Sequence, residues 1–522
     1  MVDNVGMTDI ILSTLNARYA HASLGLRYLR ANLGDLHERS ALCEFVIGQK
    51  TEEIVERLLA DQPCVLGLGV YIWNVEESTR LVAMLKRVRP ELLIVLGGPE
   101  VSYEVEEQRI CQLADYVITG WGDVSFATLA TQLMAGERPS QKVIAGVQAP
   151  LEALQLPYEE YTDEDIAKRH LYVEASRGCP FKCEFCLSAL DKTAWPFPLD
   201  EFMRALERLY ARGARQFKFV DRTFNLKVDA SLQILQFFLD RIEAAPEDPV
   251  FAHFELVPDH LPERLKDAVA RFPAGSLQFE IGIQTFDPAV QARISRKQKN
   301  SVAEDNSRWL RAHAKAHLHV DLIAGLPGES LASFAAGFDR LVALQPHEIQ
   351  FGILKRLRGA PIARHSEAFD LRFSADPPYS ILSTRELDFS TLQRMNRFAR
   401  YWDIVANSGR YPRTLSWLLG DAPFDGFMAF ADWLYAGTGQ THALAHERLV
   451  HLLRDYLCER LPQSVVDIER DLIEDYHASG GRSRLRFETE ERRLPKPEVR
   501  EAKSALPKRQ ARHLRGELGL PR

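Results

Sequence analysis

The chain lacks any long apolar run, since no stretch approaches the roughly 18 consecutive apolar residues that a membrane-spanning helix needs. Its first residues are acidic and include no basic segment, so a secretory signal is not expected. Positive charge is not in excess either: 65 Lys and Arg stand against 72 Asp and Glu, for a net charge of −7. We therefore expect a cytoplasmic protein without a membrane span, and nucleic acid is not an expected partner.

Cysteine is scarce, with seven residues in a chain of 522. The odd number and the missing signal argue against a disulfide framework and favour a reducing compartment. Three of the seven, Cys179, Cys183 and Cys186, nevertheless form a C-x3-C-x2-C pattern. A chance match of this kind has a probability on the order of one in a thousand at this cysteine frequency. The three cysteines therefore indicate a functional site, and the other four are expected to be small buried hydrophobic residues.

The length predicts about three domains at roughly 100–200 residues each. In residues 1–140, five short β-rich runs alternate with amphipathic helical patterns. Near-continuous apolar strands indicate a buried parallel sheet, and right-handed crossovers then predict an α/β, doubly wound, Rossmann-like domain. Ligands of such sheets bind beyond the carboxyl ends of the strands. No G-x-G-x-x-G follows the first strand, so the ligand is not expected to be a dinucleotide.

The rest of the chain divides into four further segments. Residues 141–168, with two prolines and an acidic run, are predicted to be a linker. Residues 169–370 contain about six βα units, which predict a partial (β/α)6 barrel of the TIM type. Residues 371–480 are predicted to be an α-helical C-terminal region whose aromatic residues form either a core or a cap over the substrate. Residues 481–522 are basic and poor in apolar residues, which is typical of a mobile tail.

The three cysteines lie in a loop that begins at the end of the first predicted barrel strand. Such a loop can bring three thiolates together around an iron–sulfur cluster, with Arg177 and Lys182 offsetting the negative charge. Three ligands leave one iron of a four-iron cluster open to a substrate or cofactor. Structural zinc fits less well, because it usually takes four ligands in paired knuckles and no second pair follows here.

With an aromatic residue, Phe185, before the last cysteine, the pattern resembles the radical S-adenosylmethionine (SAM) enzymes. The resemblance implies a [4Fe-4S] cluster held by Cys179, Cys183 and Cys186, whose open iron chelates SAM. It also implies reductive cleavage of SAM to methionine and a 5′-deoxyadenosyl radical. A flavodoxin- or ferredoxin-type protein is then the expected electron donor.

Two further motifs extend the resemblance, toward the coproporphyrinogen-dehydrogenase and methylthiotransferase branches: G-I-Q-T, which contains Gln284, and D-L-I-A-G-L-P-G, which begins at Asp321. A Gly-Gly-Glu motif is missing after the second barrel strand, where Asp221 stands instead. Asp221 either binds the SAM amino group or forms an ion pair with Arg222. By resemblance, the predicted SAM contacts are Phe185, Asp221, Glu255, Gln284, Arg296 and Asp321.

A doubly wound domain ahead of such a barrel resembles the cobalamin-dependent branch of the family. The resemblance covers residues 8–370, and the helical C-terminal region is similar to an uncharacterised extension found in one subfamily. Two glycine-containing loops resemble the loops of that branch that lie against the corrin and its nucleotide tail. By resemblance, the predicted cobalamin contacts are Asn16, Arg18, Tyr19, His21, Tyr71, Trp73, Gly97, Gly98, Pro99, Gly120, Gly122 and Asp123.

His21 occupies the loop from which many cobalamin proteins supply a cobalt ligand, within D-x-H-x-x-G. Here Tyr19 replaces the aspartate and Leu24 the glycine, so the carboxylate that would orient the imidazole is missing. We expect cobalamin to bind without a protein imidazole, with Arg18 or Tyr19 near that face. His21 as the cobalt ligand is the alternative.

The leading functional hypothesis is a cobalamin-dependent radical SAM enzyme that methylates an unactivated carbon. Its substrate is an unknown small molecule, lipid or peptide, and no catalytic side chain is assigned from the sequence. One alternative is a radical cyclisation or rearrangement without methyl transfer. Another is a cobalamin- or redox-sensing binding protein without turnover, against which the SAM-contact set argues.

Overall fold

The computed structural model describes residues 8–489 and 509–513, and the chain divides into two compact units. Unit 1 holds the chain as far as Thr223 together with Lys355–Arg364 and Phe373–Ser380. Unit 2 holds Phe224–Leu354, His365–Arg372 and the chain from Ile381 onward. No helix in the part of the chain that the structure describes is long and apolar enough to cross a membrane.

The first sheet of unit 1 has six strands in the order β2-β1-β3-β4-β5-β6, all parallel. Its strands are β1 (Ile10–Asn16), β2 (Ser40–Val46), β3 (Val65–Gly69), β4 (Leu93–Gly97), β5 (Tyr116–Thr119) and β6 (Val143–Ala145). The helices between them are α1 (Leu24–Ala31), α2 (Thr51–Leu59), α3 (Val75–Val88), α4 (Arg109–Leu113) and α5 (Asp123–Met134). The first five strands follow the predicted runs, whereas β6 lies in the predicted linker.

Helices cover both faces of this sheet. One apolar core joins the strands to α2, α3 and α4, and a second joins them to α1 and α5. Strands that are covered on both faces must be apolar throughout, and all seven residues of β1 are buried. The strand order reverses at β1 and β3, which places the topological switch point at their carboxyl ends.

The remaining elements of unit 1 carry the cysteine loop. They are α6 (Asp163–Lys168), β7 (Leu171–Val173), β8 (Ser176–Gly178), β9 (Ala194–Pro196), α7 (Leu199–Ala211) and β10 (Gln216–Phe219). The predicted strands β7 and β10 pair in parallel. β8 and β9 form an antiparallel ribbon that the sequence did not predict, and the ribbon closes the loop that contains the three cysteines.

Unit 2 begins with four parallel strands, each paired with the next: β11 (Phe251–Leu256), β12 (Leu277–Gln284), β13 (His317–Ala324) and β14 (Glu348–Ile353). The helices among them are α8 (Val228–Ala244), α9 (Glu263–Ala270), α10 (Pro288–Arg293), α11 (Asn300–His313) and α12 (Leu331–Ala343). One face of the strands is aromatic, because Phe254 packs against Phe238 of α8 and against Phe279. The other face is polar along β11, β12 and β13.

Two short strands, β15 (Arg372–Phe373) and β16 (Ile381–Ser383), precede the C-terminal helices. These are α13 (Phe389–Val405), α14 (Thr414–Leu419), α15 (Pro423–Thr438), α16 (His446–Arg460) and α17 (Val465–Ala478). Phe398, Phe427 and Phe430 are fully buried, and Phe398 and Phe427 stack edge to face with ring centroids 4.9 Å apart. The aromatic residues that the sequence left open are therefore core residues at these positions.

Most of the predicted basic tail lies outside the described residues. Residues 509–513 are helical and are anchored rather than mobile, because Arg509 donates to Asp403 at 2.8 Å. His513 in the same turn forms a hydrogen bond with the carbonyl of Asn407 at 3.0 Å.

Candidate functional site

The cysteine loop is held at its base by the β8–β9 ribbon. Gly178, directly before the first cysteine, has φ +90°, and a Cβ there would lie 2.3 Å from the carbonyl oxygen of Thr193. Only glycine fits this position, because both the dihedral and the close approach exclude a side chain. Cys186 donates its backbone N–H to the carbonyl of Cys183 at 3.1 Å, which turns the loop back on itself.

The three thiols are gathered but are not arranged for a single ion. Cys179 and Cys183 are buried, and Cys186 is partly exposed. Burial, together with the charges of Cys186 and Cys183, raises the pKa of the Cys179 thiol to about 11, so Cys179 lies within electrostatic reach of the other two cysteines. No described group of three His, Cys, Asp or Glu residues is placed to hold one metal ion. Zinc needs its ligands around one ion, whereas each cysteine of a four-iron cluster binds a different iron, so three thiols that do not converge on one point are compatible with a cluster.

Asp221 supports the start of the cysteine loop. Its carboxylate accepts the backbone N–H of Ala175 at 3.0 Å and the hydroxyl of Ser176 at 2.6 Å. Burial raises the pKa of Asp221 to about 7. Both carboxylate oxygens therefore serve the loop in this structure, and a contact with SAM stays a prediction.

Arg177 joins the cysteine loop to the loop after β5. Its guanidinium donates to Asp123 at 2.9 Å and to Glu174 at 2.6 Å, and its central carbon lies 4.9 Å from the ring of Trp121. The sequence-based expectation that Arg177 offsets the charge of a cluster is not supported, because two carboxylates already pair with it. A second contact joins the same two loops, because the indole N–H of Trp121 donates to Asp191, which follows the three cysteines in the chain, at 3.4 Å.

We expect Arg177→Met to lower the free energy of unfolding by about 3 kcal/mol, since it leaves two buried carboxylates without their partner. The matched control Arg208→Met removes an ion pair with Glu159 in which both side chains are more than half exposed, and should cost less than about 1 kcal/mol. Urea titration followed by tryptophan fluorescence measures both. Equal losses would contradict the role given to Arg177.

A cavity of about 350 Å³ lies at the carboxyl ends of β3, β4 and β5 in unit 1. Of the predicted cobalamin contacts, Tyr71, Gly97, Gly98, Gly120, Gly122 and Asp123 line it. Residues outside the predicted cobalamin contacts complete the wall, among them Leu24, Gly25, Tyr28, Leu29, Gly67, Gly69, Trp121, Phe126, Glu174 and Arg177. Apolar walls with glycines at the mouth suit a flat, largely apolar group with a polar edge, and the nucleotide base of cobalamin has that character.

The glycine loops at the mouth are fixed to each other. Gly98 has φ +109°, and a Cβ there would lie 2.5 Å from the carbonyl oxygen of Val70. Ser102 donates its hydroxyl to the carbonyl of Gly98 at 2.8 Å and accepts the N–H of Gly120 at 3.0 Å. The side chain of Ser102, for which no sequence pattern predicted a role, thus holds both loops in one arrangement.

The predicted aromatic contacts lie outside the walls of this cavity, apart from Tyr71. Trp73 stacks on Tyr71 with ring centroids 4.5 Å apart and an interplanar angle of 7°, and it is 47% exposed. A flat exposed ring of this kind is a platform on which a planar ligand can stack. Tyr19 is also exposed, and its hydroxyl donates to Glu164 at 3.0 Å.

His21 is engaged by the chain itself. Its Nδ1 lies 2.5 Å from the hydroxyl of Tyr172 on β7, and its ring centroid is 5.6 Å from that of His170. Burial lowers the pKa of His21, so its imidazole is neutral at pH 7. Asn16 is likewise engaged, because its amide donates to Glu44 at 2.9 Å, whereas Arg18 and Pro99 are exposed at the same edge. These contacts favour cobalamin binding without His21, and the assignment stays a prediction.

In unit 2 the predicted SAM contacts share the polar face of the strands. Glu255 of β11 is opposite Glu280 of β12 in the strand register, and Asp321 of β13 is opposite Gly282. The register shifts between Gly282 and Gln284, where Gln284 has φ +70°. This bulge re-aims the Gln284 side chain, which lies over Gly282.

Arg296 completes the polar group at the ends of β12 and β13. It donates to the carbonyl of Gly282 and to Gln298 at 2.9 Å. Burial raises the pKa of Asp321, and the charge of Glu280 adds to this rise, whereas His319 and, to a smaller extent, Arg296 lower the pKa without cancelling it. The structure thus brings Gln284, Arg296 and Asp321 together, and their contact with SAM stays a prediction.

Two functional candidates in unit 2 were not found from the sequence. His319 lies 3.2 Å from Asp321 through its Nε2, and the carboxylates around His319 raise its pKa. His253 lies 3.3 Å from Glu280 in the same way. The signal that could have found them is the period-two polarity of β13, where His317, His319 and Asp321 alternate with apolar residues.

Glu329 follows the strand that carries Asp321 and is 2% exposed. Thr285 donates its hydroxyl to Glu329 at 2.5 Å, and burial raises the pKa of Glu329 to about 8. A carboxyl with a raised folded-state pKa contributes stability that is complete below its unfolded pKa and is lost as pH rises through the folded value. The contribution of Glu329 to stability therefore declines between pH 4.5 and about pH 8.

We expect Glu329→Gln to flatten this decline and to be the more stable protein at pH 9, by about 2–4 kcal/mol. Urea unfolding at pH 5, 7 and 9 measures the slope. Glu263→Gln changes a side chain that is 80% exposed and should leave the slope as it is. A variant with the wild-type slope would contradict a buried, protonated Glu329.

Three family models match separate parts of the chain. A B12 binding domain matches residues 12–130, and the radical SAM superfamily matches residues 173–341. A third model, described as a protein of unknown function (DUF4080), matches residues 367–514. The first two confirm the two domains that the sequence predicted, and the stretch between residues 341 and 367 belongs to none of the three matches.

The chain is also similar to curated proteins that are named as methyltransferases. An uncharacterised methyltransferase of Pyrococcus horikoshii is 25% identical over 245 residues, which cover 42% of this chain and 53% of that protein. The cobalamin-dependent radical SAM methyltransferase TokK of Streptomyces tokunonensis is 25% identical over 326 residues, covering 55% of this chain and 46% of that protein. The chain thus spans about half the length of these relatives.

The solved structure of the cobalamin-dependent S-adenosylmethionine radical enzyme OxsB, with aqua-cobalamin and SAM bound, is similar in fold. The TM-score is 0.63 at 12% identity, and the match covers 90% of this chain and 83% of that chain. This likeness confirms the predicted fold class, with parallel sheets in an α/β arrangement and a helical C-terminal part.

Proposed function

We propose that this chain, which joins a B12-binding domain to a radical SAM domain, is a cobalamin-dependent radical SAM methyltransferase. One observation carries the proposal. Within unit 1, Arg177 ties the loop of three cysteines to the wall of a glycine-lined cavity through Asp123. An enzyme that needs an iron–sulfur cluster and a corrin close together requires such a connection, whereas an electron-transfer protein or a simple cobalamin carrier does not.

The cofactors supply the difficult chemistry and the chain supplies position. When bound, the cluster delivers the electron that cleaves SAM, and cobalamin provides the methyl group. Cys179, Cys183 and Cys186 would hold the cluster, and the cavity at the ends of β3, β4 and β5 would hold the nucleotide base of cobalamin. Trp73 and Tyr71 offer a stacked aromatic platform at the same edge.

The polar face of the strands in unit 2 offers side chains that suit SAM. Arg296 presents a guanidinium fork suited to the SAM carboxylate, and Glu255 and Gln284 suit ribose hydroxyls. Asp321 is held in place by His319 at 3.2 Å. These residues would bind and orient SAM so that the radical forms next to the substrate and away from water.

The test is anaerobic purification of the full chain with iron, sulfide and cobalamin measured, followed by turnover with methyl-labelled SAM and a strong reductant. The expected result is bound iron and cobalamin, reductive cleavage of SAM, and transfer of label to a substrate drawn from fractionated cell metabolites. Transfer to an unactivated carbon is the specific form that we propose. Cleavage of SAM with an altered but unmethylated product would contradict methyl transfer.

An outcome without turnover is informative as well. If the protein binds cobalamin but never cleaves SAM under reducing conditions, the methyltransferase proposal is wrong. The cluster variant Cys183→Ser provides the matched background for label that appears without radical chemistry. Product identified by mass shift then defines the substrate class.

A further inference from the structure

Two segments that follow the cysteine loop in sequence belong to unit 1 and contact both the cysteine loop and the loop after Gly98. We call Lys355–Arg364 together with Phe373–Ser380 the strap. Lys355 and Ser380 form an antiparallel bridge, and Arg356 donates its N–H to the carbonyl of Tyr379 at 3.0 Å. The two pieces of the strap are therefore held to each other.

The strap binds the loop that follows Gly98 through buried charge. Arg358 donates to Glu100 at 2.9 Å and also pairs with Glu104, and Tyr379 donates its hydroxyl to Glu100 at 2.7 Å. The Glu100 side chain is only 3% exposed and that of Arg358 is 16% exposed. A buried carboxylate with two charged or polar donors is costly to separate from them, so this contact has one geometry.

The fit extends to the backbone. Gly359 has φ +83°, and a Cβ there would lie 2.4 Å from the ring of Tyr103. Gln108 donates its amide to the carbonyls of Glu100 and Tyr103, at 2.9 and 2.8 Å, which orders the loop from its other side. The loop between Gly98 and Gln108 is thus clamped between the strap and its own chain.

The other end of the strap reaches the cysteine loop. Ile362, which is fully buried, donates its N–H to the carbonyl of Glu184 at 2.9 Å, and Arg364 pairs with the Glu184 carboxylate. The Glu184 side chain is 4% exposed. Glu184 stands between Cys183 and Cys186, so the strap holds the backbone that separates two of the three thiols.

We propose that the strap is a positioning element that couples the cysteine loop to the loop after Gly98, with Arg358 and Glu184 as its two anchor residues. This inference rests on the proposed function, because it assigns the two loops to a cluster and to cobalamin. A ligand that orders one loop also orders the strap. The second ligand then binds a chain that has already lost this conformational entropy, so its binding costs less free energy. Coupling of this kind is reciprocal and is typically a factor of about 5–150 in affinity.

The experiment measures the affinity of the full chain for hydroxocobalamin, by fluorescence quenching, with the cluster reconstituted and with the iron removed. In the wild-type protein we expect cluster loading to tighten binding at least about fivefold. In Arg358→Gln the ratio should fall to about one, and in Arg358→Lys, which keeps the charge but loses the fork, it should be intermediate. The control Arg372→Gln changes an exposed arginine outside the strap and should keep the wild-type ratio.

A ratio in Arg358→Gln equal to that of wild type would overturn the proposal, as would a wild-type ratio of one. A second measurement separates this failure from failure of the proposed function, because it needs no cofactor. Amide hydrogen exchange of the iron-free, cobalamin-free chain should show faster exchange at the N–H groups of Ile362 and Cys186 in Arg358→Gln than in Arg372→Gln. Unchanged exchange there would contradict the strap whether or not cobalamin binds.

Discussion

Replacing Cys183 by serine should abolish reductive cleavage of SAM, with a loss of at least about a thousandfold in the yield of 5′-deoxyadenosine. Serine preserves the size of the side chain, but its hydroxyl is a poor ligand for iron. The cysteine is buried within a closed loop, so no other side chain can take its place easily. Iron content, the visible absorption of the cluster and the 5′-deoxyadenosine yield after reduction are the measurements.

The control for this change is Cys64→Ser, since Cys64 lies outside the cysteine loop and is exposed, whereas the sequence predicted it to be buried. It should keep iron and SAM cleavage near the wild-type level. Cys183→Ser should still bind cobalamin, because the cavity wall does not include that residue, with the weaker affinity expected of the iron-free wild-type chain. Normal SAM cleavage by Cys183→Ser would remove the basis for assigning a cluster to this loop.

Replacing Gly98 by alanine should destabilise unit 1 by about 4 kcal/mol and reduce cobalamin affinity at least about a hundredfold. The strain has two sources, which are a dihedral that alanine rarely adopts and a Cβ that would stand 2.5 Å from the carbonyl oxygen of Val70. That carbonyl follows directly on β3 and cannot retreat without disturbing the cavity wall. Thermal unfolding and equilibrium binding of cobalamin measure the two effects.

Gly136→Ala is the matched control for the dihedral alone. Gly136 has φ +86°, but a Cβ there meets nothing within 4 Å, and the residue does not line the cavity. It should cost about 1–2 kcal/mol and leave cobalamin affinity unchanged. If Gly98→Ala behaves like Gly136→Ala, the close approach at Val70 does not shape the site.

Much of the fold follows from local patterns. The first five strands of the first sheet and the six predicted for the barrel are apolar or alternating runs, and each is a strand in the structure. Apolar and alternating runs form strands where helices or neighbouring chain bury their apolar side, so the periodicity of the sequence was enough to predict these strands. The ribbon of β8 and β9 was missed because its three-residue strands contain glycine or proline and form no apolar or alternating run.

The sequence by itself determined the residues that define the chemistry: the three spaced cysteines, the glycines at the strand ends and the polar motifs of β12 and β13. Within each of these groups the residues are close together in the chain and lie in the same loop or at the same strand end. Such local arrangements can be predicted from the local sequence. Only the tertiary structure decided how these loops are fixed. Arg177 meets Asp123 across 54 positions, and Arg358 meets Glu100 across 258. Partners so distant in sequence share no pattern, because packing rather than periodicity selects which buried charge pairs with which.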